Sequence, residues 1–389
     1  MATIKDVSRL ANVSISTVSR VINNTAQVAP EKREAVLSAM KELNFRPNSF
    51  AQALVSKRSN CIGVLVGDLC GGPFFAQMML GIERVIDKAN KFTIVMSGNH
   101  DDQRERHAIE ALLQRQCDAL ILHSKALPDE ELLELAHGPT PVVFVNRQVP
   151  GAEDRCVWLD NREGTLCAVR HLTSQGHQKI AFVTSNDMSF TDATQRFEGY
   201  KQGLQEAGLS FDEQLVAAGF PDEVGGHSAI AELLARQVAF TAFVGFNDAM
   251  AAGGISCLME HNIAVPETVS VVGFDDIPYI RFIRPKLTTV KYPIEAIGEQ
   301  AAELALRLLD NKPVDGICLK FVPEMVGRDS VLVQKEEMKR RGSLLFFTST
   351  VKAFAEILFN GDLLQFFRPQ KSISCARIWC HFTNSRCGK

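Results

Sequence analysis

From Thr3 to Asn23 the chain reads TIKDVSRLANVSISTVSRVIN, two short helical patterns split by a tight break. The first sets Ile4, Val7, Leu10 and Ala11 on one face; the second sets Val18, Val21 and Ile22 on one face. That i, i+3, i+4 spacing describes two helices sharing a small core. Thr3 is placed to cap the first helix, with Asp6 three residues on as in a capping box. Ser14 is placed to cap the second, and Val13 to plug the turn. In a helix-turn-helix the second helix enters the major groove with its N-terminal side chains at base edges. Here those are Ile15, Ser16 and Thr17, with Arg20 one turn further; Thr3, Ser14 and Asn23 complete the residues expected at DNA. The plain alternative is a chance pair of amphipathic helices, and the segments that follow weigh against it.

Residues 1–58 hold nine Lys/Arg and four Asp/Glu, a net +5, whereas the whole chain is −3, leaving −8 for residues 59–389. A basic head on an acidic body is the asymmetry expected when only the head meets phosphates. A third helix is expected from about Pro30 to Leu43, with Pro in its first turn and Val36, Met40 and Leu43 on one face. In FRPNSFAQALVSKRSN, Pro47 stops any continuous helix and Asn48 can cap a new one. Ala51 and Leu54 then fit a short helix that wedges the minor groove. An ordinary interdomain linker is the alternative for this stretch.

The run TIKDVSRLANVSISTVSRVINN and the RPN…AQAL hinge resemble the LacI/GalR family of bacterial transcriptional repressors, over residues 2 to about 334. Within that family GPFF, RERHAIEALLQRQCDALILHSKAL, NRQVPG, RCVWLDN and LTTVKYPI are most similar to the galactose repressor and isorepressor branch. The resemblance implies that Ile15, Ser16 and Arg20 face the major groove and that Leu54 is the minor-groove wedge. Family members usually carry a larger polar or aromatic residue near 15 or 16, so Ile15 and Ser16 leave the preferred base sequence open.

The remaining chain alternates apolar runs with helical patterns. Strands are expected at 61–68, 92–99, 119–124, 141–147, 179–185, 241–248 and 269–276, and helices at 74–90, 102–116, 129–137, 161–175, 192–207, 226–236 and 248–261. Near-continuous apolar strands alternating with helices argue for parallel sheets covered on both faces. The length exceeds what one sheet takes, so two similar lobes are expected. Their seam should follow residues 146–160, with the chain crossing back near 287–293. The expected architecture is an N-terminal all-α helix-turn-helix head plus an α/β two-lobed body, which the resemblance makes periplasmic-binding-protein-like. The divisions are 1–46 for the head, 47–59 for a hinge helix or linker, 60–334 for an effector-binding and dimerisation domain, and 335–389 for an atypical tail.

Ligands of open α/β sheets bind at the carboxyl ends of strands. Those ends carry Asp68, Asn99, His123 with Ser124, Asn146 with Arg147, Asn186, Asn247 with Asp248, and Asp275 with Asp276. Most are planar amides or carboxylates, which pair with vicinal hydroxyls. Phe74 and Phe75 in the GGPFF turn can wall such a cleft, and Arg196 can reach across it. The resemblance puts Phe74, Asn146, Arg196, Asn247 and Asp275 at inducer-contacting positions, and Arg147 joins them as an effector-binding candidate. The competing view is that such polar residues only cap helices.

Catalytic motifs are missing: no Walker loop, GxSxG, HExxH or full dinucleotide fingerprint occurs. Asp275 and Asp276 are adjacent and so point different ways, unlike a glycosidase pair. His171 and His177 are expected at the surface or at helix ends. The ten cysteines include no CxxC pair, so no zinc site is expected. With neither a signal peptide nor a membrane span read, the expected compartment is cytoplasmic, with reduced thiols. From 331 to 389 the text changes to ten Lys/Arg, four Asp/Glu, seven Phe and three Cys. It suggests a shifted reading frame or read-through, or an accessory helix at 344–360; a poorly ordered tail without core function is expected.

The resulting expectation is a repressor of sugar transport or catabolism genes rather than an enzyme. It needs no cofactor and binds a pseudo-palindromic operator as a homodimer. A small sugar, D-galactose by the resemblance, releases it. A corepressor-dependent, purine-responsive repressor is the alternative within the family. A sugar carrier is the alternative outside it, and would lack the basic head.

Overall fold

The computed structural model describes residues 2–23, 27–46, 58–69 and 72–334. The head has three helices, α1 (Ile4–Leu10), α2 (Ile15–Asn23) and α3 (Pro30–Glu42). Val7, Val18, Val21, Val36 and Ala39 are buried at their meeting point, with Ile4, Ala11, Val13, Ile22, Met40 and Leu43 packed round them. Leu10 departs from the expected core face and is 45% exposed. The reason is local: Asn12 takes a left-handed φ of 51°. The chain then turns back so that Val13, not Leu10, closes the core, its N–H donating to the Ser8 carbonyl at 3.1 Å.

The body begins β1 (Cys61–Val66), α4 (Pro73–Lys88), β2 (Phe92–Ser97), α5 (Asp102–Gln114), β3 (Ala119–Leu122), α6 (Asp129–Ala136), β4 (Val142–Val145) and β5 (Cys156–Leu159). It continues with α7 (Asn161–Ser174), β6 (Ile180–Ser185), α8 (Thr191–Glu206), β7 (Val216–Gly219), α9 (Glu223–Ala235), β8 (Ala242–Gly245), α10 (Asp248–Glu260), β9 (Ser270–Asp275) and β10 (Thr288–Lys291). It closes with α11 (Ile294–Leu309), β11 (Lys320–Phe321) and β12 (Glu324–Val326). The helix expected from 226 starts earlier, because Asp222 caps it by accepting the Gly225 N–H at 2.7 Å.

Two six-stranded sheets result, ordered β11-β5-β4-β3-β1-β2 and β12-β10-β9-β8-β6-β7. Every pairing is parallel except β10 with β12. Val64, Leu65, Ile121, Val143, Val183, Val244 and Val272 are essentially inaccessible, as strands covered on both faces must be. The two sheets repeat one winding, so each has a switch point where strand order reverses, between β1 and β3 and between β6 and β8.

The chain passes from the first sheet to the second between β5 and α7, and returns after β10, where α11 packs on β3, β4 and β5. Both crossings lie at the expected seam. A third, between β11 and β12, carries no sequence signal, because those strands are only two and three residues long. His177, expected at the surface or a helix end, lies at the end of α7, its N–H donating to the Leu172 carbonyl at 3.2 Å. It is buried, with ring nitrogens 2.9 Å from Thr241 Oγ1 and 3.1 Å from the Leu332 carbonyl.

Candidate functional site

In the head, the Asp6 carboxylate accepts the Thr3 N–H at 2.9 Å and the Thr3 hydroxyl at 2.7 Å. Ser14 caps α2 by accepting the Thr17 N–H at 3.1 Å, and its oxygen lies 2.8 Å from Ser16 Oγ and 2.9 Å from Thr17 Oγ1. Three hydroxyls thus gather at the helix N-terminus, where unpaired backbone N–H groups favour anions. With Val18 and Val21 turned into the core, Ile15, Ser16 and Arg20 are exposed, and Thr17 is half-buried. Asn23 donates to Ser19 Oγ at 3.2 Å. Asn48, Ala51 and Leu54 lie outside the described residues.

In the body, the carboxyl ends of strands from both sheets bring together one polar and aromatic cluster. Phe74, in the first turn of α4, packs edge-on to Phe75 and Tyr292, each with its centroid 5.3 Å away. His123, just past β3, sits 5.0 Å from Phe75 and 6.1 Å from His100. Arg196, one turn along α8 from Asp192, is almost fully buried. Its guanidinium stacks between Phe274 (3.7 Å) and Phe246 (4.5 Å). Its Nε donates to Asn161 Oδ1 at 3.0 Å, another nitrogen donates to the Phe246 carbonyl, and a third stands 3.7 Å from Asp275 Oδ1. Asn146 accepts from the Tyr292 hydroxyl and from Asn161 Nδ2. Asn146 and Asp275 have φ of 61° and 115°, so both strand ends hold L-residues in a disfavoured region. Such conformations persist where the surroundings impose them, often at ligand sites.

Electrostatics follow from burial. It pushes the Asp275 carboxyl up to about 7 despite Arg196. Asp248 is raised too, first by burial and then by Asp275; it accepts from Thr289 Oγ1 at 2.5 Å and the Ile277 N–H at 2.9 Å. Burial alone would also raise Asp192, but Lys125, at 2.6 Å, and Arg196 outweigh it and hold that carboxyl at about 2. Burial, then Lys125, lowers His100 to about 4 and His123 to about 3, so both rings are neutral near pH 7.

Of the residues singled out from sequence, Phe74, Phe75, His123, Asn146, Arg196 and Asp275 share this cluster. Arg147 is directed elsewhere, with its fork on Asp129 at 2.7 Å and on the Leu127 carbonyl at 2.8 Å. Asn247 caps α10, accepting the Met250 N–H at 2.8 Å and donating to the Pro221 carbonyl at 2.9 Å. Its neighbour Phe246 supplies the ring and carbonyl that meet Arg196. Asp276 pairs with Arg281 and Arg328, away from Asp275. Sequence reasoning missed His100, Lys125, Asn161, Asp192 and Tyr292. Only Asp192 carried a signal, its i, i+4 spacing to Arg196 on one helix. Among the described residues no group of three or more His, Cys, Asp or Glu is placed to hold a metal.

A helix-turn-helix head in one chain with a twice-wound α/β body defines a DNA-binding regulator on a periplasmic-binding-type scaffold. Residues 3–48 match the model "Bacterial regulatory proteins, lacI family", and residues 169–331 match "Periplasmic binding protein-like domain". HTH-type transcriptional regulator GalR of Escherichia coli (strain K12) is 46% identical over 331 residues, covering 85% of this chain and 96% of that protein. The chain belongs to the lacI family of bacterial regulatory proteins. Among solved structures it is similar to a LacI-family sugar-binding transcriptional regulator from Escherichia coli complexed with phosphate (30% identity, TM-score 0.65, 71% of this chain and 100% of that one). It is also similar to the lac repressor dimer bound to operator and the anti-inducer ONPF (26% identity, TM-score 0.75, 85% and 99%). The chain is a transcriptional repressor of this family, not an enzyme.

Proposed function

We propose that this repressor answers to a sugar, D-galactose, which loosens its hold on the operator. The observation that carries the reading is the cluster itself. The Phe74 and Tyr292 rings stand in the same cluster as Asn146, Arg196 and Asp275. A pyranose has an apolar face for the rings and hydroxyl pairs for planar amide, guanidinium and carboxyl groups. Galactose in particular follows from the galactose-branch passages of the sequence. Phe74, Asn146, Arg196 and Asp275 contact the sugar; Arg147 and Asn247 brace the loops behind it.

Residues 1–46 form the DNA head, 47–59 the hinge, 60–334 the effector-binding and dimerisation domain, and 335–389 an appendage. Two heads of a cytoplasmic homodimer dock on a pseudo-palindromic operator. Ile15, Ser16 and Arg20 meet base edges; Thr3, Ser14, Thr17 and Asn23 meet the backbone; Asn48, Ala51 and Leu54 form the minor-groove hinge. Sugar re-orients the lobes, and the operator-competent state loses population.

The test is fluorescence anisotropy of an operator fragment, titrated with D-galactose at fixed salt. The expected outcome is weaker binding as galactose rises. Binding indifferent to galactose but weakened by another sugar overturns galactose as effector. Binding strengthened by a purine establishes the corepressor alternative instead.

A further inference from the structure

His123 is 2% exposed, and neither of its ring nitrogens has a hydrogen-bond partner among the described residues; Nδ1 of His100 is likewise buried and unpartnered. An unmatched buried polar group is costly, and folded proteins keep few of them. Both rings are nonetheless held in place. Glu105, fully buried, accepts from Ser124 Oγ at 2.5 Å and from the N–H groups of Lys125 and Ala126, fixing the loop after His123. Gly67, at the end of β1, makes room for the other ring: a Cβ there would lie 2.1 Å from His100 Cε1.

Resting on the sugar reading above, we infer that His123, assisted by His100, is the specificity element that reads hydroxyl groups on an uncharged sugar. A neutral imidazole offers one donor and one acceptor, the pattern a hydroxyl returns. A phosphorylated sugar fits poorly. Both cations of the cluster are already engaged, Lys125 with Asp192 and Arg196 with Asn161 and Asp275. The carboxylates of Asp68 and Asp192 lie near His100.

Isothermal titration of the full-length protein tests this, using D-galactose, its monodeoxy analogues and a galactose phosphate. Wild type, His123→Phe and His123→Asn are compared, with thermal unfolding to check folding. Wild type should lose about tenfold in affinity for the analogue lacking the hydroxyl that His123 reads. His123→Phe should bind galactose weakly and no longer distinguish that analogue. His123→Asn, which keeps a donor and an acceptor, should retain part of the discrimination, and the phosphate should bind no tighter than galactose. A loss spread evenly over all analogues in both variants, or tighter binding of the phosphate, overturns the inference alone. A wild type that binds none of these sugars overturns the sugar reading as well.

Discussion

Asp275 holds a proton near neutral pH that an ordinary aspartate has lost. Its usual value is 3.8, and burial raises it to about 7 in the folded protein. A raised carboxyl favours folding in acid: its contribution is full below about pH 4 and is lost as pH rises through about 7. Asp248 is shifted the same way, in part by Asp275 itself, so removing one charge relaxes both. Asp275→Asn keeps the shape and removes the charge. Urea unfolding at about pH 5 and pH 8 should show wild type losing about 2 kcal/mol more stability over that interval than the variant. Equal slopes would mean that another group governs the titration. Strand-end position alone marked Asp275 and Asn146 in the sequence. It marked Asn247 and Arg147 equally, and nothing local separates a side chain spent on a cap or an ion pair from one left to a ligand. That division is decided by Met250, Pro221, Asp129 and Leu127, which only the folded chain brings near.

Helix pairs in the body approach through glycines where the sequence, taken alone, shows a weakened helix. On α4, a Cβ at Gly81 would stand 2.0 Å from the Glu295 carbonyl oxygen; on α11, one at Gly298 would stand 2.4 Å from that of Met78. Arg84 then reaches across to Glu295 and Glu299. In an isolated helix Gly81→Ala should gain about 1 kcal/mol. Here the methyl group meets backbone that cannot swing aside, and overpacking of this kind costs about 1–3 kcal/mol or more. The expected net effect is a loss of about 1–2 kcal/mol in urea unfolding; a gain would show that α4 and α11 part easily. The same contrast explains which elements were legible. β1, β3, β4, β6, β8 and β9 announce themselves as apolar runs because both their faces are covered. β7 is Val-Ala-Ala-Gly, and β11 is two residues whose existence depends on Trp158 and Leu159 in β5. Their strand character comes from a distant partner, and no local periodicity records it.

At the scale of the whole molecule, the question is where the working protein ends. The segment after β12 is secured by buried contacts. Ser330 Oγ donates to the Val271 carbonyl at 2.6 Å and accepts the Thr288 N–H at 2.8 Å, while the Val271 N–H donates to the Ser330 carbonyl at 2.7 Å. Arg328 adds a bond to the Leu287 carbonyl at 2.7 Å and pairs with Asp276. The Leu332 N–H reaches Ser270 Oγ at 3.0 Å, and its carbonyl meets His177. These contacts tie the segment to the starts of β9 and β10, and one compact unit runs to Leu332. Beyond Gln334 the composition turns basic and phenylalanine-rich, unlike the acidic body. Since the described contacts of the Arg196 cluster and of the head all lie within residues 2–334, a chain ending at Gln334 should keep the operator affinity and the galactose response of the full chain within about twofold, a difference under 0.5 kcal/mol. Anisotropy on the operator fragment measures the first two quantities, and light scattering in solution compares the assembly of the two chains. A truncated chain that binds operator normally but assembles differently would assign residues 335–389 a part in oligomerisation. One that unfolds would mean the second sheet leans on the tail for stability that the contacts of residues 328–332 do not supply.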